Sequence, residues 1–242
     1  MLLEESVWIG ARLASLPDEQ LFPLLNVGSS TAHFRSVTQS HIEREIFAPL
    51  AARGGQVIHV DIKAAEGVDI VGDLTDTTFI TRIRQTVRPR ALIVSNLLEH
   101  VPDAAATANR LLKLLPGGGL LVVSGPHSYP YHPDPIDTRF RPALADVHAL
   151  FPRTHMLEGE LIVSQRWRPW GTKPTGPLAP TLYYARLAAP FYRSRSWRRR
   201  MDSAPYIVRR VSAYATILVV EPGRSELPTA LGHHEPDSDV TA

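Results

Sequence analysis

A chain of 242 residues with 44% hydrophobic content has room for one α/β domain and a modest appendage; no apolar run approaches the roughly 20 residues of a membrane-crossing helix. With Glu4 and Glu5 standing where a signal peptide would be basic, a soluble cytoplasmic protein is expected, and the absence of cysteine leaves catalysis to His, carboxylates, hydroxyls or a bound metal. The formal charge of +2 is unevenly spread: between Gln165 and Arg210 there are eleven arginines or lysines against the single acid Asp202.

Residues Glu4 to Glu19 mix apolar and polar positions at helical spacing up to Pro17-Asp18, which predicts a leading helix capping the ligand side of the fold. Pro23 to Val27 is a short apolar run that stops at Gly28 and two serines, as a buried strand entering a tight turn does. An extra segment, Thr31 to Ser40, overlaps the start of a helix expected over Gln39 to Ala52 and ended by Gly54-Gly55. Strands then follow at Val57 to Ile62 and Val68 to Val71, a helix at Thr78 to Val87, and a fully apolar strand at Ala91 to Ser95. A helix over Asp103 to Leu115 closes at Pro116-Gly117-Gly118-Gly119, and Leu120 to Ser124 is the next strand.

Continuous Val/Ile/Leu strands alternating with amphipathic helices indicate a parallel sheet covered on both faces. Later elements are a helix over Arg141 to Phe151, a strand over Glu158 to Ser164 and a last strand over Ser212 to Val220. The expected fold is therefore α/β: a Rossmann-like, doubly wound, mostly parallel seven-stranded sheet with helices on both faces and an antiparallel last strand. One domain is expected over 1–221, with a basic, aromatic excursion over 165–210 and a disordered tail over 222–242.

In such a sheet, ligands bind beyond the carboxyl ends of the strands where the strand order reverses. Gly28 lets the backbone turn sharply there, and Ser29 leaves room for a ligand. The second strand ends at Asp61-Ile62, the third at Asp73-Leu74, and the fourth runs into Asn96 and then Leu98-Glu99-His100-Val101-Pro102-Asp103.

These pieces, LLNVGSS, VIHVDIK, VGDLTD, ALIVSNLLEHVPD and LLPGGGLLVVSGP, resemble in type and order the class I S-adenosylmethionine-dependent methyltransferases, in particular the type-11 group, over about residues 20 to 126. The resemblance implies S-adenosylmethionine as cofactor. It implies that Asn26, Val27, Gly28 and Ser29 contact its methionine part, Asp61 and Ile62 its ribose side, Asp73 and Leu74 its adenine, and Asn96 the substrate-facing side. The chain departs from the family where Asn26 replaces the usual acid and Ser30 the second glycine.

After the fifth strand, residues 127–142 bring two His, two Asp, two Tyr and two further Arg into a proline-stiffened loop, a substrate platform by position and composition. Three readings are open. His127 or His132 acts as general base for a hydroxyl; or Glu99, His100, Asp134 and Asp137 hold Mg2+ or a similar ion that lowers the acceptor's pKa; or His100 caps a helix and the Asp residues fix turns. Adjacent residues on a regular helix diverge by about 100 degrees, so joint ligation by Glu99 and His100 needs a loop or helix-start geometry.

No Asn-Pro-Pro-Tyr or Asp-Pro-Pro-Tyr tetrapeptide is present, which favours an oxygen acceptor. The loop is similar over about 16 residues to bacterial methyltransferases that modify sugars or polysaccharides, implying an O-methylated sugar or oligosaccharide. Another small-molecule acceptor stays open, and the basic aromatic excursion keeps open a nucleic-acid acceptor or a homodimer contact. The weakened first turn keeps open a non-catalytic cofactor-binding subunit.

Overall fold

A computed structural model of the chain describes residues 1–132, 136–164 and 210–222. The expected excursion lies almost wholly outside them, as do Asp134 and nearly all of the expected tail. Seven strands form one sheet: β1 (Leu24–Val27), β2 (Val57–Asp61), β3 (Ile70–Val71), β4 (Ala91–Ser95), β5 (Leu120–Ser128), β6 (Thr154–Val163) and β7 (Ser212–Val220). Their order is β3-β2-β1-β4-β5-β7-β6. β1 pairs in parallel with both β2 and β4, while β7 runs antiparallel between β5 and β6. The mostly parallel, Rossmann-like seven-stranded sheet with a reversed last strand is as the sequence predicts.

Alternation along each strand sends neighbouring side chains to opposite faces, so one apolar run feeds two cores. Leu25, Val27, Leu92 and Val94 pack with Phe79 and Ile83 of α4 (Thr77–Thr86), Ala108 and Leu111 of α5 (Ala104–Leu112) and Val147 of α6 (Leu144–Leu150). On the other face, Leu24, Ile93 and Val122 pack with Trp8, Ile9 and Leu13 of α1 (Leu3–Ser15) and Leu50 of α3 (Ala48–Ala52). Each fully buried aliphatic side chain contributes about 1.5–3 kcal/mol. Asp76 and Asp103 cap α4 and α5 by accepting from the Thr78 and Ala106 amides at 2.8 and 2.9 Å.

Several elements differ from expectation. The leading helix stops at Ser15, and a separate turn, α2 (Asp18–Leu21), follows Pro17. The segment before α3 is wound as two π-helical turns, Phe34–Thr38 and Glu43–Phe47. β5 continues through Gly125 and Pro126 to Ser128 because β7 pairs with it that far, with a bulge between Pro126 and Ser128. His127 therefore sits on a strand rather than in the loop after it. β6 begins at Thr154 rather than Glu158, since it follows β7 along its whole length. No helix among the described residues is long and apolar enough to cross a membrane.

Candidate functional site

The order reverses between β1 and β4, and the strand-end residues gather outside those carboxyl ends. Gly28 has φ +72°, and a Cβ there would stand 3.0 Å from Leu97 Cδ1, so glycine lets the turn lie against the segment after β4 without strain. The Gly28 and Ser29 amides both donate to the Val60 carbonyl, at 2.9 and 3.1 Å. Ser30, also in the left-handed region, donates its amide to Asp61 Oδ2 at 2.7 Å, and Lys63 donates to Oδ1 at 3.0 Å.

The buried Arg35 fastens this turn from behind. Its Nη1 donates to the Ser29 and Ser30 carbonyls at 3.0 and 2.9 Å, and its Nη2 to the Gly67 carbonyl at 2.8 Å. Burial lowers its pKa from the ordinary value against the attraction of Glu43, Asp69 and Asp61. One guanidinium thus joins the loops that follow β1 and β2.

Beside Asp61, Ile62 is 66% exposed although strongly apolar, and half-buried Leu74 packs against the α4 and α5 core. Asp73 is exposed and accepts from the Thr75 amide at 2.7 Å, a hydrogen bond that holds its carboxyl below the usual range. Val27 is buried, and Asn26 turns to the opposite face, where its Nδ2 stands 3.0 Å from His59 Nδ1. Phe47 meets the His59 ring edge-on, and burial pushes the His59 pKa down to about 4.

Asn96 follows β4 with φ +51°. Its Nδ2 donates at 2.9 Å to Oε1 of the fully buried Glu5, which also accepts from Ser124 Oγ at 2.7 Å. The second Glu5 oxygen takes the Leu2 amide at 2.9 Å, so the first turn of α1 forms part of the site wall.

Next comes a short 3-10 turn, Leu98–His100, the irregular geometry that lets adjacent side chains converge. Glu99 Oε1 lies 3.7 Å from His100 Nε2 and 4.0 Å from His132 Nε2, and the Glu99 side chain is 1% exposed. Among the described residues neither Glu99 oxygen accepts a hydrogen bond from another residue, and the buried Tyr214 hydroxyl also lacks a partner. Burial pushes the Glu99 carboxyl up to about 7, with the Glu5 charge adding to it and its own backbone amide, then His100 and Arg141, opposing. The Tyr214 phenol is pushed well above its ordinary value, first by burial and then by the charges of Glu99 and Glu5.

The far nitrogens of both imidazoles are fixed. His100 Nδ1 meets the Ile136 carbonyl, and His132 Nδ1 lies 3.2 Å from the Pro130 carbonyl and 3.3 Å from Asp137 Oδ2. Arg141 grips Asp137 at both oxygens, at 3.1 and 2.7 Å, and Asp137 also accepts the His132 and Arg139 amides. Burial acts to raise the Asp137 pKa, but these hydrogen bonds, Arg141 first, hold it below the ordinary value. Desolvation lowers the His132 pKa.

The cluster thus brings together Glu99, His100 and His132, with Asp137 behind His132 rather than among the converging atoms. His127, on β5, has its Nδ1 2.8 Å from the Pro142 carbonyl and is not among the converging atoms of the cluster. A depression of about 570 Å3 is lined by Val101, Pro102, Thr138, Arg139, Phe140 and Arg141, the chain neighbours of the cluster but none of its three members. A groove of about 510 Å3 lined by Arg84, Arg88, Arg110 and Lys113 contains none of the strand-end residues. Glu5, Arg35, Ser124 and Tyr214 are site residues that sequence reasoning missed; the only signal was an acid and an arginine on otherwise amphipathic helical segments.

No protein-family model matches the chain, and no curated protein sequence matches it. Among solved structures, it is similar to the MccD protein at 12% identity and a TM-score of 0.50, over 89% of this chain and 96% of that one. It is also similar to a coclaurine N-methyltransferase bound to N-methylheliamine and S-adenosylhomocysteine, at 12% identity and a TM-score of 0.51, over 88% of this chain and 71% of that one. With the strand order above, this likeness identifies the chain's fold as the seven-stranded Rossmann-like fold of methyltransferases.

Proposed function

We propose that the chain is an S-adenosylmethionine-dependent O-methyltransferase acting on a sugar or oligosaccharide hydroxyl. The observation that carries the oxygen acceptor is the convergence of Glu99, His100 and His132 just past Asn96, a cluster whose Glu99 oxygens take no donor from another described residue. A hydroxyl reaching the metal-free cluster donates its hydrogen bond there, and the cluster takes up its proton as the oxygen becomes the nucleophile.

The strand ends suit the cofactor. Asp61 uses one acceptor site on each oxygen for a backbone amide, which leaves the second lone pair of each for the two ribose hydroxyls. Exposed Ile62 and half-buried Leu74 offer apolar walls for an adenine ring, and Asp73 an acceptor for its amine. The side-chain-free turn at Gly28 leaves space for the methionine part. When bound, S-adenosylmethionine supplies an electrophilic methyl group for in-line displacement, so the protein's remaining work is alignment. Arg35 fixes the first turn, and Glu5 fixes Asn96 between cofactor and acceptor.

The sugar is favoured by Tyr129, which meets the His132 ring at 5.0 Å, and by Tyr131, under the Arg139 guanidinium at 5.1 Å. Rings beside carboxylates and imidazoles suit a polyhydroxyl ligand with an apolar face. Two measurements test the reading. S-adenosylhomocysteine titrated calorimetrically into the protein should give saturable heat, and its absence rejects the cofactor. Labelled methyl groups should then enter a carbohydrate fraction; label found only in RNA or amines rejects the acceptor.

A further inference from the structure

We infer that Glu99, His100 and His132 form a binding site for one divalent transition-metal cation of zinc-like character. One carboxylate oxygen and two imidazole nitrogens lie within 4.8 Å of one another. An ion bound at about 2.0–2.2 Å from each ligand places the ligands roughly 3 to 3.5 Å apart, so rotamer shifts on the order of 1 Å close the triad.

The ring orientations point to a ligand rather than to packing. A carbonyl can only accept, so the contact of His100 Nδ1 with the Ile136 carbonyl places a proton there; at His132, the Pro130 carbonyl and Asp137 Oδ2 stand 3.2 and 3.3 Å from Nδ1 as acceptors, with Arg141 Nη2 more distant at 3.4 Å. That leaves the His100 Nε2 lone pair 3.7 Å from Glu99 Oε1, and the two acceptors behind His132 favour the same state for its Nε2, 4.0 Å from the same oxygen. Metal-ligating histidines are held in this way, the far N–H donating to a carbonyl or carboxylate. Behind His132, Asp137 completes that pattern and is itself held by Arg141.

A second observation is independent of the rings. Glu99 is buried, with neither oxygen taking a donor from another described residue, and a buried carboxylate so poorly paired is costly without a cation or donors. Two nitrogens and one oxygen suit zinc, cobalt, iron or nickel, whereas magnesium prefers oxygen ligands alone. Three protein ligands leave at least one coordination position open. Only the placement of that position beside an acceptor oxygen rests on the methyl-transfer reading.

The test is Co2+ titration of the metal-free full chain without cofactor, followed by visible ligand-field absorption, with Zn2+ and Mg2+ as competitors. One equivalent of Co2+ should bind, Zn2+ should displace it and Mg2+ should not. His132→Gln and Glu99→Gln should each weaken binding at least tenfold, while His155→Ala, an exposed site on β6, should leave it unchanged. Circular dichroism reports folding; should Glu99→Gln fail to fold, His132→Gln, 34% exposed at the side chain, decides the matter. No Co2+ uptake, binding indifferent to His132→Gln, or displacement by equimolar Mg2+ overturns the inference. Because no cofactor is present, these outcomes are separate from the S-adenosylhomocysteine titration.

Discussion

Glu5 Oε1 accepts the Asn96 side-chain amide at 2.9 Å, which fastens the first turn of α1 to the residue that follows β4. The Glu5 carboxylate takes two further donors, Ser124 Oγ and the Leu2 amide, inside a fully buried setting. Leaving a buried donor without its acceptor costs about 1–3 kcal/mol. Glu5→Ala should therefore lose about 3 kcal/mol or more of unfolding free energy in urea denaturation, and Glu5→Gln, which keeps one acceptor oxygen, distinctly less. A wild-type midpoint for Glu5→Ala would contradict this.

Asp61 joins the Ser30 amide to the end of β2 and faces the proposed ribose. Asp61→Ala removes hydrogen bonds to a charged acceptor, and a loss of about 2 kcal/mol corresponds to about 30-fold weaker S-adenosylhomocysteine binding by calorimetry.

Arg35 spans three carbonyls contributed by two loops. A single ammonium cannot reproduce that fork. Arg35→Lys and Arg35→Met should both weaken S-adenosylhomocysteine binding about tenfold while far-ultraviolet circular dichroism stays at wild type. Restoration of affinity by lysine would show that charge alone matters.

His59 provides a pH test. Its folded pKa, about 4, lies below the ordinary 6.5, so the unfolded chain takes up the proton first. The stability contributed by the neutral ring is present above about 6.5 and is lost as pH falls toward 4. The full shift corresponds to roughly 3 kcal/mol, which partial exposure reduces to about 1–2 kcal/mol. His59→Gln should flatten the stability profile over that window. Asn26→Asp, placing a carboxylate beside Nδ1, should move the ring's midpoint upward in an NMR titration.

If a cation occupies the Glu99 cluster, EDTA should reduce methyl transfer more than tenfold, and Zn2+ or Co2+ should restore it. Unchanged turnover in EDTA would leave the imidazoles and Glu99 to receive the hydroxyl proton unaided.

The parts of the fold legible in the sequence were those where burial forces composition. β1 and β4 are enclosed by parallel neighbours, and every residue from Leu24 to Val27 and from Ala91 to Val94 is buried. The continuation of β5 was hidden because Gly125-Pro126 reads as a turn; pairing with β7, reached after a long stretch of chain, holds the segment extended. The same holds for the site. Asp61, Asp73 and Glu99 follow strands and can be located by counting, whereas Glu5 gains its role from a partner 91 residues away. His132 reaches Glu99 and His100 through a loop whose Thr138 amide donates to the Glu99 carbonyl at 2.9 Å, a contact that no local pattern announces.

The reversal of strand order between β1 and β4 divides the labour of the site. Everything proposed to hold the nucleoside hangs from β1, β2 and β3, and everything proposed to receive the methyl group hangs from β4 and the loop after β5. Asn96 and Leu97 stand at the seam. Acceptor specificity can thus drift by exchange of the segment from Tyr129 to Pro142 without disturbing Gly28 or Asp61, so the loop becomes a cassette and the first three strands its socket.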